Sequence, residues 1–219
     1  AFGKAGRLSA ALQLIDEMKQ RGISPNDVDY LMLIVACGHG KNVMRAGDRG
    51  GSKQALELLQ RMQDTGPVPD IRHYDAAMKV CATEGDLAKA INIFESARDK
   101  AMGMKPNERS WGALLDAIGR AGQVAEMMAW YAEMLTSGGL QPNNVILNSM
   151  LAHAGTAGEL GIAEGIWREM RDRQLEPNSY SYSAFINCYA TAKQPDKAEG
   201  VLTEMVQSAT IKPNAIAFT

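Results

Sequence analysis

The residues with the most chemistry to offer in this 219-residue chain are three Cys, three His and one short Gly-rich basic stretch. None has the spacing that catalysis or metal binding requires. His39, His73 and His153 show no H-E-x-x-H or other ligand pattern, and Cys37, Cys81 and Cys188 include no C-x-x-C pair. A zinc site is therefore not indicated. The three Cys recur at nearly the same phase, which suits small buried residues at a helix crossing. Residues 47–53 read Gly-Asp-Arg-Gly-Gly-Ser-Lys. That stretch lacks the Gly-Lys-Ser/Thr ending of a phosphate loop, and no strand pattern precedes it. No Gly-x-Ser-x-Gly elbow occurs. The chain is read as non-catalytic and without a cofactor.

What remains is hydrogen-bonding chemistry at regular intervals. Asn or Asp directly follows Pro at Asn26, Asp70, Asn107, Asn143, Asn178 and Asn214. An Asx side chain at such a place accepts from the backbone N–H groups that open a helix. The same flat group can meet a ligand edge.

The prolines of that set stand at 25, 69, 106, 142, 177 and 213, at intervals of 44, 37, 36, 35 and 36. Met18, Met62, Met134, Met170 and Met205 lie seven or eight residues before a proline, and Gly6, Gly85, Gly122 and Gly158 recur in mid-repeat. Self-similarity near 35 residues is the mark of a solenoid. Within each unit the apolar spacing is helical twice over, as in Leu147, Met150, Leu151 and Ala154, then Leu160, Ala163, Ile166, Trp167 and Met170. Gly122 or Gly158 can take the left-handed conformation that ends the first helix. Pro then ends the second, and the Asx after it caps the next.

The expected fold is all-α: an α-solenoid of stacked antiparallel helix-turn-helix units of about 35 residues, forming a superhelix without a sheet. The chain divides into a partial unit 1–26, complete units 27–70, 71–107, 108–143, 144–178 and 179–214, and the start of another at 215–219. The second unit is longer, and the excess is placed around Gly38–Ser52, as a loop between its two helices that could contact phosphate or a partner.

Composition agrees with a globular chain: 46% apolar, 22% charged, formal net charge −2. Disorder, a collagen repeat and a disulfide scaffold are excluded. The longest uncharged apolar run, Tyr30–Cys37, is far short of the roughly 20 residues a membrane helix needs. Charge is uneven: residues 144–157 and 179–192 carry none, whereas residues 159–173 are rich in it. The second helices are read as the solvated layer, and the first helices as a surface of Asn, Ser and Tyr suited to recognition by hydrogen bonds. Tyr30, Tyr74, Trp111, Trp130, Trp167, Tyr182 and the Met set are read as packing residues.

Lys4-Ala5-Gly6-Arg7-Leu8, Ala11, Glu17-Met18 and Pro25-Asn26 resemble the pentatricopeptide repeat, and residues 144–178 fit its full length. The resemblance covers essentially the whole chain, as a P-type-like tandem array. It implies sequence-specific binding of single-stranded RNA, one base per repeat, in a mitochondrion or chloroplast, in support of RNA processing, stability, splicing or translation. Two side chains per repeat then read the base edge, and a third sandwiches the base. Carried onto this chain, Asn148 and Asn178 read with Val145 as the sandwich, which looks like a pyrimidine reader. Ser183 and Asn214 read with Tyr180, a pair that favours adenine.

The remaining units map less regularly. Asp70 and Val28 accompany Leu31, whose side chain cannot hydrogen-bond. Asp75 pairs with Asn107 beside Arg72, Asn143 pairs with Gly112 beside Arg109, and Asn26 and Thr219 belong to the incomplete terminal units. The alternative reading is a protein-interaction scaffold, a subunit of an organellar ribosome, RNA polymerase or other large complex. A third makes the chain the recognition arm of an RNA-processing enzyme whose catalytic domain lies elsewhere.

Overall fold

Each repeat opens where a capping side chain meets the start of an apolar three-four pattern. In the computed structural model, which describes residues 8–38, 50–100, 105–136 and 139–208, eleven helices follow. They are α1 (Leu8–Gln20), α2 (Asp27–Cys37), α3 (Gly51–Thr65), α4 (Ile71–Glu84), α5 (Leu87–Lys100) and α6 (Glu108–Arg120). The rest are α7 (Val124–Thr136), α8 (Asn144–Ala157), α9 (Leu160–Asp172), α10 (Ser179–Thr191) and α11 (Pro195–Gln207). No strand occurs among the described residues. The chain forms two compact units, Ala1–Ala117 and Ile118–Thr219.

In the first unit α2 packs on α3 and on α4, and α4 packs on α3 and α5. In the second, α8 packs on α9 and α10, and α10 on α11. First helices thus touch their own second helix and the first helix of the next repeat. This double packing buries much of α8, from Ile146 to Gly155, whereas α9 buries only Ala163, Ile166, Trp167 and Met170. The recurring Met of the second helices forms the spine of the core: Met62, Met134, Met170 and Met205 are fully buried. Aromatic side chains join successive repeats. Trp167 stacks on Phe185 at 4.6 Å and meets Tyr182 edge-on at 4.9 Å. Phe94 meets Trp111 at 4.7 Å. Trp130, on α7, is half-buried.

The Glu before the Met also has a structural use. Tyr182 donates to Glu204 Oε1 at 3.0 Å, and Tyr131 to Glu169 Oε1 at 2.6 Å. Burial and the neighbouring carboxylate push the Tyr182 phenol up to about 12. Cys37, Cys81 and Cys188 are free and buried, and burial pushes the first two thiols up to about 11 and about 12. Protonated thiols of this kind are inert packing groups.

The first helices α4, α6, α8 and α10 end alike, whereas α2 ends on Gly38 in the right-handed region. At Gly122 (φ 76°) and Gly158 (φ 74°) the chain enters the left-handed region. The N–H of Gly158 donates to Gly155 O at 3.2 Å, and the N–H of Glu159 to Ala154 O at 3.0 Å. The same pair of bonds closes α10 through Lys193 and Gln194, yet Lys193 sits at φ 57° with a side chain.

The inserted segment of the second unit needs one correction. Residues 39–49 lie outside the described residues, but Gly51 and Ser52 are not loop: they open α3 and are buried. Their N–H groups donate to Glu84 Oε1 and Oε2, both at 2.9 Å, so the helix is capped by a carboxylate from the end of α4. A negative charge suits that end of a helix dipole. Gly51 fits there because a Cβ would lie 2.6 Å from Cys37 O.

Two stability measurements check these readings. Gly51→Ala is expected to lower the free energy of unfolding by about 1–3 kcal/mol in urea titrations, the cost of an overpacked contact with backbone; an unchanged midpoint contradicts the close approach. Lys193→Gly is expected to raise it by about 1 kcal/mol, because the left-handed region penalises a Cβ.

Candidate nucleic-acid interface

Five of the six Asx residues after proline are described, and all five cap the next first helix. Asn26 Oδ1 accepts from Asp29 N at 2.9 Å, and Asp29 Oδ2 accepts from Asn26 N at 3.0 Å. Asp70 Oδ1 accepts from Arg72 N at 2.9 Å. Asn107 Oδ1 accepts from Arg109 N at 2.9 Å and Ser110 N at 3.1 Å. Asn143 Oδ1 accepts from Ile146 N at 3.0 Å, and Asn178 Oδ1 from Ser181 N at 2.9 Å. A backbone N–H can only donate, so each Asn turns its oxygen toward the cap, and its amino group stands at the other end of the amide. Asn214 and Thr219 lie outside the described residues.

The residues at the fifth place of each first helix differ in use. Asn148 is 7% exposed, and its Oδ1 accepts a hydrogen bond from the buried Ser181 hydroxyl. That hydroxyl is also 3.0 Å from Asn178 Oδ1. Asn148 and Asn178, paired in the sequence reading, are therefore joined through one serine. Asp75, 9% exposed, is linked to Asn107 in a similar way: Ser110 hydrogen-bonds Asp75, and its hydroxyl lies 3.4 Å from Asn107 Oδ1. The other Asp75 oxygen, Oδ1, is buried without a hydrogen-bond partner. Burial raises the Asp75 carboxyl above the usual carboxylate range, against the lowering effects of Ser110 and Arg109, and Asp70 adds to the rise. Ser183 is buried and turned back on its own helix, donating to Ser179 O at 2.9 Å. Leu31 and Gly112 offer no polar side chain, and both are half-buried.

The second places are exposed. Val145 is 77% exposed, Tyr180 61% and Val28 52%, three of the few large apolar side chains left in solvent. Arg109 is exposed as well. Arg72 is engaged: its Nε donates to Asp70 Oδ2 at 2.8 Å and its Nη2 to Asp27 Oδ2 at 3.0 Å. Burial opposes ionisation of Asp70, but hydrogen bonds from Arg72 and His73 outweigh it and hold the carboxyl below its ordinary value. His73 stands at the third place of α4, where α6 and α10 have Ser; its Nδ1 is 2.8 Å from Asp70 Oδ1 and its Nε2 2.9 Å from Asp27 O. Ser110, Ser181 and His73 are absent from the sequence-derived set. Their signal was the spacing Asn-x-x-Ser, and Asp-x-x-His for His73, a polar residue where a capping box places Glu.

Among the described residues no group of three or more His, Cys, Asp or Glu could hold a metal ion, and no helix is long and apolar enough to cross a membrane. Helix pairs repeated at one period, each opening on a side-chain cap, define an α-solenoid repeat protein. The chain belongs to the pentatricopeptide-repeat family. Residues 2–161 match the family described as the pentacotripeptide-repeat region of PRORP, and residues 142–191 and 180–208 match pentatricopeptide repeat families. A mitochondrial pentatricopeptide repeat-containing protein of Arabidopsis thaliana is 31% identical over 71% of this chain and 26% of its own length. A chloroplastic one is 24% identical over 97% of this chain and 26% of its own length. The chain thus spans about a quarter of these curated relatives.

The crystal structure of the pentatricopeptide repeat protein PPR10 from maize matches 99% of this chain and 34% of its own, at TM-score 0.63 and 21% identity. PPR10 is also known in complex with an 18-nt psaJ RNA element. The PPR domain of Arabidopsis thaliana protein-only RNase P 1, solved with tRNA, matches 89% of this chain and 93% of that one, at TM-score 0.62 and 18% identity. These likenesses show the fold.

The raised Asp75 carboxyl gives a pH test. Its ionised form destabilises the folded state, and this penalty is full above the raised folded value. It is relieved as pH falls through that value towards about 3.9, where an unfolded Asp titrates. Asp75→Asn is therefore expected to be more stable than the parent at pH 7, by about 1 kcal/mol for relief of an unpaired buried oxygen. Its advantage is expected to shrink in thermal melts near pH 4. A variant no more stable at pH 7 contradicts this reading.

Proposed function

We propose that the chain binds single-stranded RNA, with bases inserted between the exposed side chains at the second places of successive first helices and met by polar groups at the repeat junctions. The observation that carries this is the triplet repeated around α8 and α10. An exposed apolar residue (Val145, Tyr180) stands beside a buried polar one (Asn148, Ser183), and at the junction between them Asn178 is held by its cap with its amino group uncommitted. Solvent-exposed Val and Tyr cost free energy unless something covers them, and a base face is a flat cover that also leaves its edge for hydrogen bonding. The net charge of −2 argues against binding by phosphate attraction alone.

The RNA-bound relatives PPR10 and protein-only RNase P 1 support the reading. Relatives named mitochondrial or chloroplastic support an organellar setting, where binding would protect an RNA or guide its processing. Leu31, the ion-paired Arg72 and Gly112 make the units at 27–70, 71–107 and 108–143 in turn poor readers. The assignment therefore rests on the units at 144–178 and 179–214. A scaffold role is the rival that the same assay exposes.

Tyr180→Ala removes an exposed side chain and is expected to leave the melting temperature nearly unchanged. It should weaken RNA binding by about 1–3 kcal/mol, the usual worth of one stacked base. The measurement is a titration against a pool of single-stranded RNA at two salt concentrations. Binding that ignores Tyr180→Ala and Val145→Ala, or none at all, turns the assignment to the scaffold.

A further inference from the structure

The reading of a base by an Asn depends on which end of its amide faces the base, and the amide alone does not decide. A residue holding one end does. We propose that Ser181, at the third place of α10, is a specificity-determining residue for the preceding repeat: it fixes the Asn148 amide so that the Asn148–Asn178 pair selects cytosine over uracil. This rests on base reading by that pair.

Three observations carry it. Ser181 is fully buried, and its hydroxyl lies within hydrogen-bond distance of both Asn148 Oδ1 and Asn178 Oδ1. A hydroxyl has one hydrogen to give. The Ser181 N–H at 2.9 Å already turns Asn178 Oδ1 inward, and the hydroxyl hydrogen goes to Asn148 Oδ1, the nearer of the two oxygens to it. Both amides then turn oxygen inward and offer N–H. Two donors suit two neighbouring acceptors, and among the pairing edges of the four bases only cytosine has them, in N3 and O2. Uracil places an N3–H there, donor against donor.

The third observation is the pattern of the serine: it follows Asp75 and Asn148 at this place and is absent after Leu31, after Gly112 and after Ser183, which Ala217 follows. Ser110 occupies the same place after Asn107 and hydrogen-bonds Asp75. Where the fifth residue cannot hydrogen-bond, the serine is missing: Leu31 is followed by His73 and Gly112 by Ile146 at that place. In the Ser110 case the second Asp75 oxygen is buried and unpartnered, a polar atom left over by the same junction. Capping alone does not explain this pattern, because Asn143 caps α8 through the backbone N–H of Ile146 without any hydroxyl.

The experiment uses the purified protein and a random-sequence pool of single-stranded RNA, with bound RNA sequenced and the cytosine-to-uracil ratio read at the position that Asn148→Ala flattens. The parent is expected to enrich cytosine there. Ser181→Ala keeps the backbone N–H and the cap, and should cut the ratio by about fivefold, the factor one uncharged hydrogen bond is worth. Ser181→Thr should restore it. A purely structural serine would lower overall binding and leave the ratio alone, which overturns the proposal; so does a parent that prefers uracil. If Asn148→Ala flattens a position while Ser181→Ala does not move its ratio, only this inference fails. If Asn148→Ala flattens none, base reading by the pair fails and takes the inference with it.

Discussion

A helix begins with backbone N–H groups that have no partner inside it, and the rest of this chain is arranged around how that deficit is met. Five first helices take the side-chain oxygen of the residue just before them: Asn26, Asp70, Asn107, Asn143 and Asn178. The preceding Pro has already ended the previous second helix, so one dipeptide closes one repeat and opens the next. The cap also fixes which way each of these side chains faces, so a substitution there removes a helix cap along with any other contact the amide makes.

Much of this was legible in the sequence, and the reason is local. Pro followed by Asn needs no knowledge of neighbours to be read as a stop and a start, and α2, α4, α6, α8 and α10 begin one residue after the Asx in question. The left-handed Gly122 and Gly158 were legible on the same ground. Packing of Tyr30, Tyr74, Trp111 and Tyr182 followed from periodicity, and all four are buried. Trp130 is half-buried: periodicity gives the apolar stripe of a helix and not how much of α7 a neighbour covers.

The candidate interface was legible in outline and not in its connections. Asn148 and Asn178 could be paired by family resemblance, but the serine that joins them lies 33 residues from one and three from the other, and only the packing of α8 on α10 brings it between them. Asp75 was paired with Asn107 from the sequence; the fold buries it and supplies Ser110. Arg72 read as a base-sandwiching residue; the fold gives its guanidinium to Asp70 and Asp27. Long polar side chains choose partners across repeats, and no single-repeat pattern encodes that choice.

The cap on α3 has a consequence for synthesis. Gly51 and Ser52 begin their helix on the carboxylate of Glu84, the last residue of α4. A ribosome releases the chain from its N-terminus, so α3 clears the exit tunnel before the group that completes its start exists outside. The cap of α3 is therefore complete only once the end of α4, 32 or 33 residues later, is also outside. Each repeat of such an array leans on its neighbours, and here the later neighbour supplies the start of the earlier helix.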